Sequence, residues 1–148
     1  MTMALHYVDD LTDYRASLEI VLAMTEKRPE LKPWLGGDAV EKFMREIQPV
    51  ATDRYLFDIC MPVPREMKKL AIWPKSGIDA HSCGIALANW LVNKKECDVA
   101  RVALVTHWGR ENDRIQDELK ELKIDGCKVF NKNLEDMQGL RDWLGETA

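Results

Sequence analysis

Apolar positions along this chain follow two alternating rhythms. Short, nearly continuous apolar runs occur at MALHYV (Met3–Val8), RYLFDI (Arg54–Ile59), ARVALVTHW (Ala100–Trp108) and CKVFN (Cys127–Asn131). Runs of this length read as strands buried on both faces. Between them apolar residues recur at helical spacing. Tyr14, Leu18, Val21 and Leu22 share a face within Leu11–Glu26, and Val40, Phe43, Met44 and Ile47 do so behind Asp38, a predicted N-cap. Ile85, Ala88, Leu91 and Val92 mark a helix over Gly84–Asn93, and Ile115, Leu119 and Leu122 mark one in RENDRIQDELKELKI. Leu134, Met137, Leu140 and Leu144 mark a closing helix in NLEDMQGLRDWL. A further strand in KRPELKPWLGG is the least marked, because Pro29, Pro33, Gly36 and Gly37 interrupt it.

Strands alternating with helices predict right-handed crossovers and an α/β fold, an open, doubly wound five-stranded parallel sheet with helices on both faces. The 148 residues, with no repeat and no low-complexity linker, suit one domain over 1–148. A long segment, residues 63–83, has no such rhythm and reads as an inserted loop, basic through Arg65, Lys68, Lys69 and Lys75.

Composition narrows the function classes. A formal net charge of −4, with acids and bases interspersed, argues against direct nucleic-acid binding. No apolar run approaches the roughly 20 residues of a membrane span, and the start lacks a basic region followed by an apolar stretch. No membrane association and a cytoplasmic location are the expectations. Cys60, Cys83, Cys97 and Cys127 form no C-x-x-C pair, so they read as thiols rather than a zinc site.

In an open parallel sheet the ligand site lies beyond the carboxyl ends of the strands. The residues at those ends are Asp9 and Asp10, Asp58, Thr106 and Lys132. Asp58 is out of keeping with its apolar run, since a buried carboxylate is costly unless paired. Three carboxylates brought together repel, and a divalent cation such as Mg²⁺ and a lysine relieve that repulsion. Acids, cation, hydroxyl and lysine meet the electrostatic needs of phosphoryl transfer. Each residue also has a plainer reading: Asp9 and Asp10 as caps of the first helix, Thr106 as strand filler, Lys132 as a surface lysine.

YVDD, LFDICMP, ALVTHW and VFNK, in this order across nearly the whole chain, resemble the receiver domain of two-component response regulators. The resemblance implies the flavodoxin-like strand order 2-1-3-4-5. It implies Asp58 as phosphoacceptor, with Lys132 and Thr106 contacting the phosphoryl group. Mg²⁺ would be held by Asp9, Asp10, Asp58 and the backbone carbonyl of Cys60. The implied partners are a sensor histidine kinase or phosphotransfer protein and a downstream protein. Because only GETA follows the closing helix, a stand-alone regulator is expected. The chain departs from the family at His107, where a small residue is usual, at Asn133 in place of proline, and at Val129 in place of a switch aromatic. Its helix-opening glycine, Gly84, comes only after the insertion. Two other readings stay open: a pseudo-receiver that binds without phosphorylation, and a Mg²⁺-dependent phosphatase or nucleotide-processing enzyme on the same fold.

Overall fold

The computed structural model describes residues 3–61, 83–107, 113–133 and 136–145. Five strands form one parallel sheet: β1 (Ala4–Asp9), β2 (Glu30–Leu35), β3 (Arg54–Asp58), β4 (Val102–Thr106) and β5 (Lys128–Asn131). Their order is β2-β1-β3-β4-β5, as expected for a flavodoxin-like α/β fold. The helices are α1 (Arg15–Ala23), α2 (Ala39–Glu46), α3 (Cys83–Asn89), α4 (Asp113–Glu121) and α5 (Met137–Gly145).

The sheet divides the core in two. On one face Leu5, Tyr7, Leu56, Ala103 and Val105 pack with Leu18 and Val21 of α1 and Leu140, Trp143 and Leu144 of α5. On the other, Val8, Phe57 and Leu104 pack with Phe43 of α2, Ile85 and Leu87 of α3, and Ile115 and Leu119 of α4. The alternation of side chains along each strand feeds both faces, which is why β1, β3 and β4 read as unbroken apolar runs.

Several boundaries differ from expectation. The first helix begins at Arg15, four residues later than the apolar spacing suggests, with Tyr14 rather than an acid at its N-cap. Asp38 does precede α2, but its side chain makes no capping hydrogen bond. Helix α3 starts at Cys83, so the insertion ends one residue earlier than expected, and it closes in a π turn over Trp90–Lys94 in which the Lys95 amide donates to the Trp90 carbonyl (3.1 Å). Strand β2 tolerates Pro33 because it lies at the sheet edge, where a missing amide donor costs no ladder bond. The turn that leaves it uses Gly36 at φ +105, a conformation in which a side chain is strained. Leu134 and most of the insertion lie outside the described residues.

A buried polar pair, His6 and Asp53, sits at the amino ends of β1 and β3. His6 of β1 is 5% exposed, and its Nε2 hydrogen-bonds the Asp53 carboxylate (2.9 Å) at the amino end of β3. Its Nδ1 accepts from the Trp34 indole (3.3 Å), which assigns the Nε2–H tautomer. Tyr55 stacks on the imidazole at 5.0 Å. Asp53 also accepts from the Ala4 amide (3.2 Å), so the pair is well satisfied. Burial lowers the His6 pKa below its usual 6.5, outweighing the pull of Asp53. A proton on Nδ1 would displace the Trp34 bond. The stability this neutral histidine contributes is therefore complete above about pH 6.5 and is lost as pH falls through the lower folded value. His6→Phe should cost about 2 kcal/mol at neutral pH, because it leaves a buried carboxylate short of a donor. It should also flatten the acid limb of stability below about pH 6.5. Urea unfolding across that range measures both effects.

Candidate functional site

The carboxyl ends of β1, β3 and β5 converge on a cluster of charged side chains. Asp9 ends β1 and is fully buried, Asp10 follows it half-buried, and Asp58 ends β3 at 2% exposure. One carboxylate oxygen from each lies within 4.8 Å of the others. Lys132, just past β5, reaches into the cluster with its side chain 3% exposed. Its Nζ lies 3.0 Å from Asp9 Oδ2 and 3.4 Å from Asp58 Oδ1. Lys132 is thus a buried counter-ion and not a surface lysine.

The backbone accounts for this convergence. The parallel ladder sets Val8 beside Phe57 and Asp58 beside Val105, so neighbouring strands end at nearly the same height. The Lys132 amide donates to the Thr106 carbonyl (2.9 Å), continuing the β4–β5 ladder one residue past β5. The Ile59 amide donates to the Val105 carbonyl (3.0 Å), and the chain then turns at Cys60, where the Met61 amide returns to the Ile59 carbonyl (2.9 Å). Cys83 re-enters at the same point, its amide donating to the Met61 carbonyl (3.1 Å). The chain leaves at Met61 and returns at Cys83 without disturbing the strand end that carries Asp58.

Gly84 makes that return possible. A Cβ there would lie 2.2 Å from the Asp58 carbonyl oxygen and 2.7 Å from the Ile59 Cα. Both are backbone atoms at the end of a central strand, with little freedom to yield. The family resemblance pointed to Gly84 as the glycine opening this helix, and here its role is to let α3 lie directly against the Asp58 peptide.

The three acids are electrostatically distinct. Asp9 accepts from the Leu11 amide (3.0 Å), from the Tyr7 hydroxyl and from Lys132 (3.0 Å). Burial alone would raise its pKa, but these donors outweigh burial and hold the carboxyl below its usual 3.8. The Leu11 bond forms an Asx-type turn, but α1 starts further on, so Asp9 does not cap that helix. Asp10 is raised by burial and by the hydrogen bond and charge of Asp9, and its buried Oδ1 has no hydrogen-bond partner among the described residues. Asp58 is pushed up to about 7 by burial and then by the charge of Asp9, against the opposing pull of Lys132. Among the described residues the cluster has more negative than positive charge and buried carboxylate oxygens that lack hydrogen bonds, which fits a hard divalent cation. Asp9, Asp10 and Asp58 supply the oxygen donors for one.

Thr106 is fully buried at the end of β4, one residue beyond the Val105 that pairs with Asp58. Cys60 is half-buried at the turn after β3. His107 is exposed. Val129 is buried in the α4 face of the core. The sequence reading missed Tyr7, whose ring is buried and whose hydroxyl bonds Asp9, and Tyr14, whose ring faces the Lys132 ammonium at 5.7 Å. Both follow the apolar rhythm of their elements, and only their hydroxyl and ring chemistry distinguishes them from core filler. Burial raises the thiols of Cys83 and Cys127 to about 12, which opposes nucleophilic use of either.

Comparisons of this chain with protein-family models, with curated proteins and with solved structures found no match. Among the described residues no helix is long and apolar enough to cross a membrane.

Two outcomes test this geometry. Because the folded Asp58 carboxyl binds its proton more tightly than the unfolded one, its contribution to stability is present below about pH 4 and lost as pH rises to about 7. In metal-free buffer Asp58→Asn should therefore be more stable than wild type at about pH 8, by about 2 kcal/mol, and the gap should close towards pH 4. Urea midpoints at the two pH values check this. Gly84→Ala should cost about 3 kcal/mol, because the strand backbone must shift, and the loss is readable in the same unfolding assay.

Proposed function

We propose that this chain is a receiver of the two-component response-regulator type, in which Asp58 accepts a phosphoryl group from a histidine on a sensor kinase or phosphotransfer protein. The observation that carries this reading is the meeting of Asp9, Asp10, Asp58 and a buried Lys132 at the carboxyl ends of the sheet. Acids alone are common on α/β sheets. A buried lysine between two of them is what a site handling a doubly negative phosphoryl group requires.

In this reading an oxygen of Asp58 attacks the phosphorus of a phosphoimidazole. The new P–O bond forms as the P–N bond breaks, and the imidazole leaves with the electron pair and takes a proton from solvent. Lys132, already 3.4 Å from Asp58, follows the charge onto the phosphoryl oxygens. Thr106, on the adjacent strand end, would supply a hydroxyl to the same group. Asp10, Asp58 and the Cys60 carbonyl, with Asp9 behind them, would hold Mg²⁺, which neutralises charge developing on the transferred oxygens. Attack of water on the acyl phosphate would release inorganic phosphate and restore the carboxylate. The phosphorylated surface would then be read by a protein partner.

Intact-mass measurement after incubation with acetyl phosphate tests the proposal. One phosphoryl adduct is expected on wild type with Mg²⁺. None is expected without Mg²⁺ or on Asp58→Asn. An adduct that survives Asp58→Asn would move the chemistry to another residue. No adduct from either acetyl phosphate or a phosphorylated kinase would leave a binding module on this fold as the better reading.

A further inference from the structure

Asp9 is the most heavily hydrogen-bonded acid of the cluster, and one of its donors is an unusual neighbour. Tyr7 lies two residues earlier on β1, so its side chain projects from the same face of the sheet as that of Asp9. Its ring is fully buried between β1 and α1 and tilts against Tyr14 at 6.0 Å. The hydroxyl therefore has little room to turn away, and it donates to Asp9 Oδ2. The same oxygen accepts from Lys132 Nζ (3.0 Å), while Oδ1 accepts from the Leu11 amide (3.0 Å).

A carboxylate oxygen has two in-plane lone pairs. Both on Oδ2 are taken by donors within the protein, and one on Oδ1 is taken by the backbone. Asp10 and Asp58 differ: among the described residues each has a buried Oδ1 without a hydrogen bond, that of Asp58 being approached by the Lys132 ammonium at 3.4 Å. The three acids offer a cation unequal ligands, and Tyr7 is part of the reason.

We propose that Tyr7 is a positioning residue that sets the cation affinity of this site, its hydroxyl occupying Asp9 Oδ2 and so weakening the binding of a divalent cation. The inference rests on the reading of the cluster as a cation site. Oδ2 is closed to direct coordination while Tyr7 and Lys132 hold it, and Asp10 and Asp58 become the principal ligands. The hydroxyl also damps the charge that Asp9 presents across the cluster, so the site holds its cation less tightly and releases it more readily than three free carboxylates would.

Tyr7→Phe keeps the ring and removes only the donor. Titration with MgCl₂ by isothermal calorimetry should show Mg²⁺ bound about tenfold more tightly by Tyr7→Phe than by wild type. Asp10→Asn should bind it much more weakly than either. Urea unfolding in metal-free buffer should show Tyr7→Phe to be less stable than wild type, because a buried hydrogen bond is lost. Lower stability with tighter cation binding is a pairing that mere loosening of the site would not produce. Unchanged or weaker Mg²⁺ binding by Tyr7→Phe would overturn the proposal, the weaker case showing that the hydroxyl orients Asp9 as a direct ligand. Absence of Mg²⁺ binding by both proteins would also overturn it. A change in Mg²⁺ affinity in either direction leaves the phosphoryl-transfer reading untouched, which the mass measurement decides separately; absence of Mg²⁺ binding would count against the Mg²⁺-dependent adduct as well.

Discussion

The Lys132 ammonium, held between Asp9 and Asp58, is the contact on which the carboxyl end of this sheet depends. Two carboxylates buried at the ends of adjacent strands could not both ionise without it. The geometry is unequal, at 3.0 Å against 3.4 Å, and so are the consequences. Asp9 receives the closer approach together with two neutral donors and is held ionised. Asp58 receives the longer approach, feels the Asp9 charge, and has its pKa raised. One cation therefore stabilises one acid fully and leaves the other electrostatically unsettled.

That asymmetry needs rigid strand ends. β1 and β3 are central strands, paired on both sides and covered by helices on both faces. The first turn of α3 lies against the Asp58 peptide with no room for a Cβ at Gly84. Any drift of β3 would move Asp58 relative to Lys132, and interaction energy at these distances in a buried setting changes steeply with separation. The packing of apolar side chains far from the cluster thus fixes the spacing of its charges.

Much of this was legible in the sequence because the signals were of one kind. The apolar runs of β1, β3 and β4, bounded by polar residues, marked both the strands and the places where they end. In a parallel sheet the strand ends mark the site. Asp58 stood out because a carboxylate contradicts its apolar run, and Lys132 became meaningful only as the residue after another strand. β2 was faint, because an edge strand is half exposed and can carry Pro33. The start of α1 was misplaced because Leu11 continues the apolar rhythm into a loop that Asp9 pins through the Leu11 amide. Tyr7 and the His6–Asp53 pair were invisible for a different reason. Their roles depend on which polar atoms meet across strands, and periodicity carries no information about that.

The two buried acid sites on β1 and β3 make the strongest internal comparison. At the amino end, Asp53 meets His6, which is fixed in turn by Trp34, while the Ala4 amide takes the other carboxylate oxygen. There, folding has solved the problem of a buried carboxylate with neutral donors and stacked rings. At the carboxyl end of the same two strands, among the described residues, three acids share one lysine, and Asp10 and Asp58 each retain a buried oxygen without a hydrogen bond. A chain that satisfies one buried acid so fully has the means to satisfy others by the same chemistry. The cluster around Asp58 therefore keeps negative charge that the described residues do not offset, and that surplus is what the proposed cation and phosphoryl site rests on.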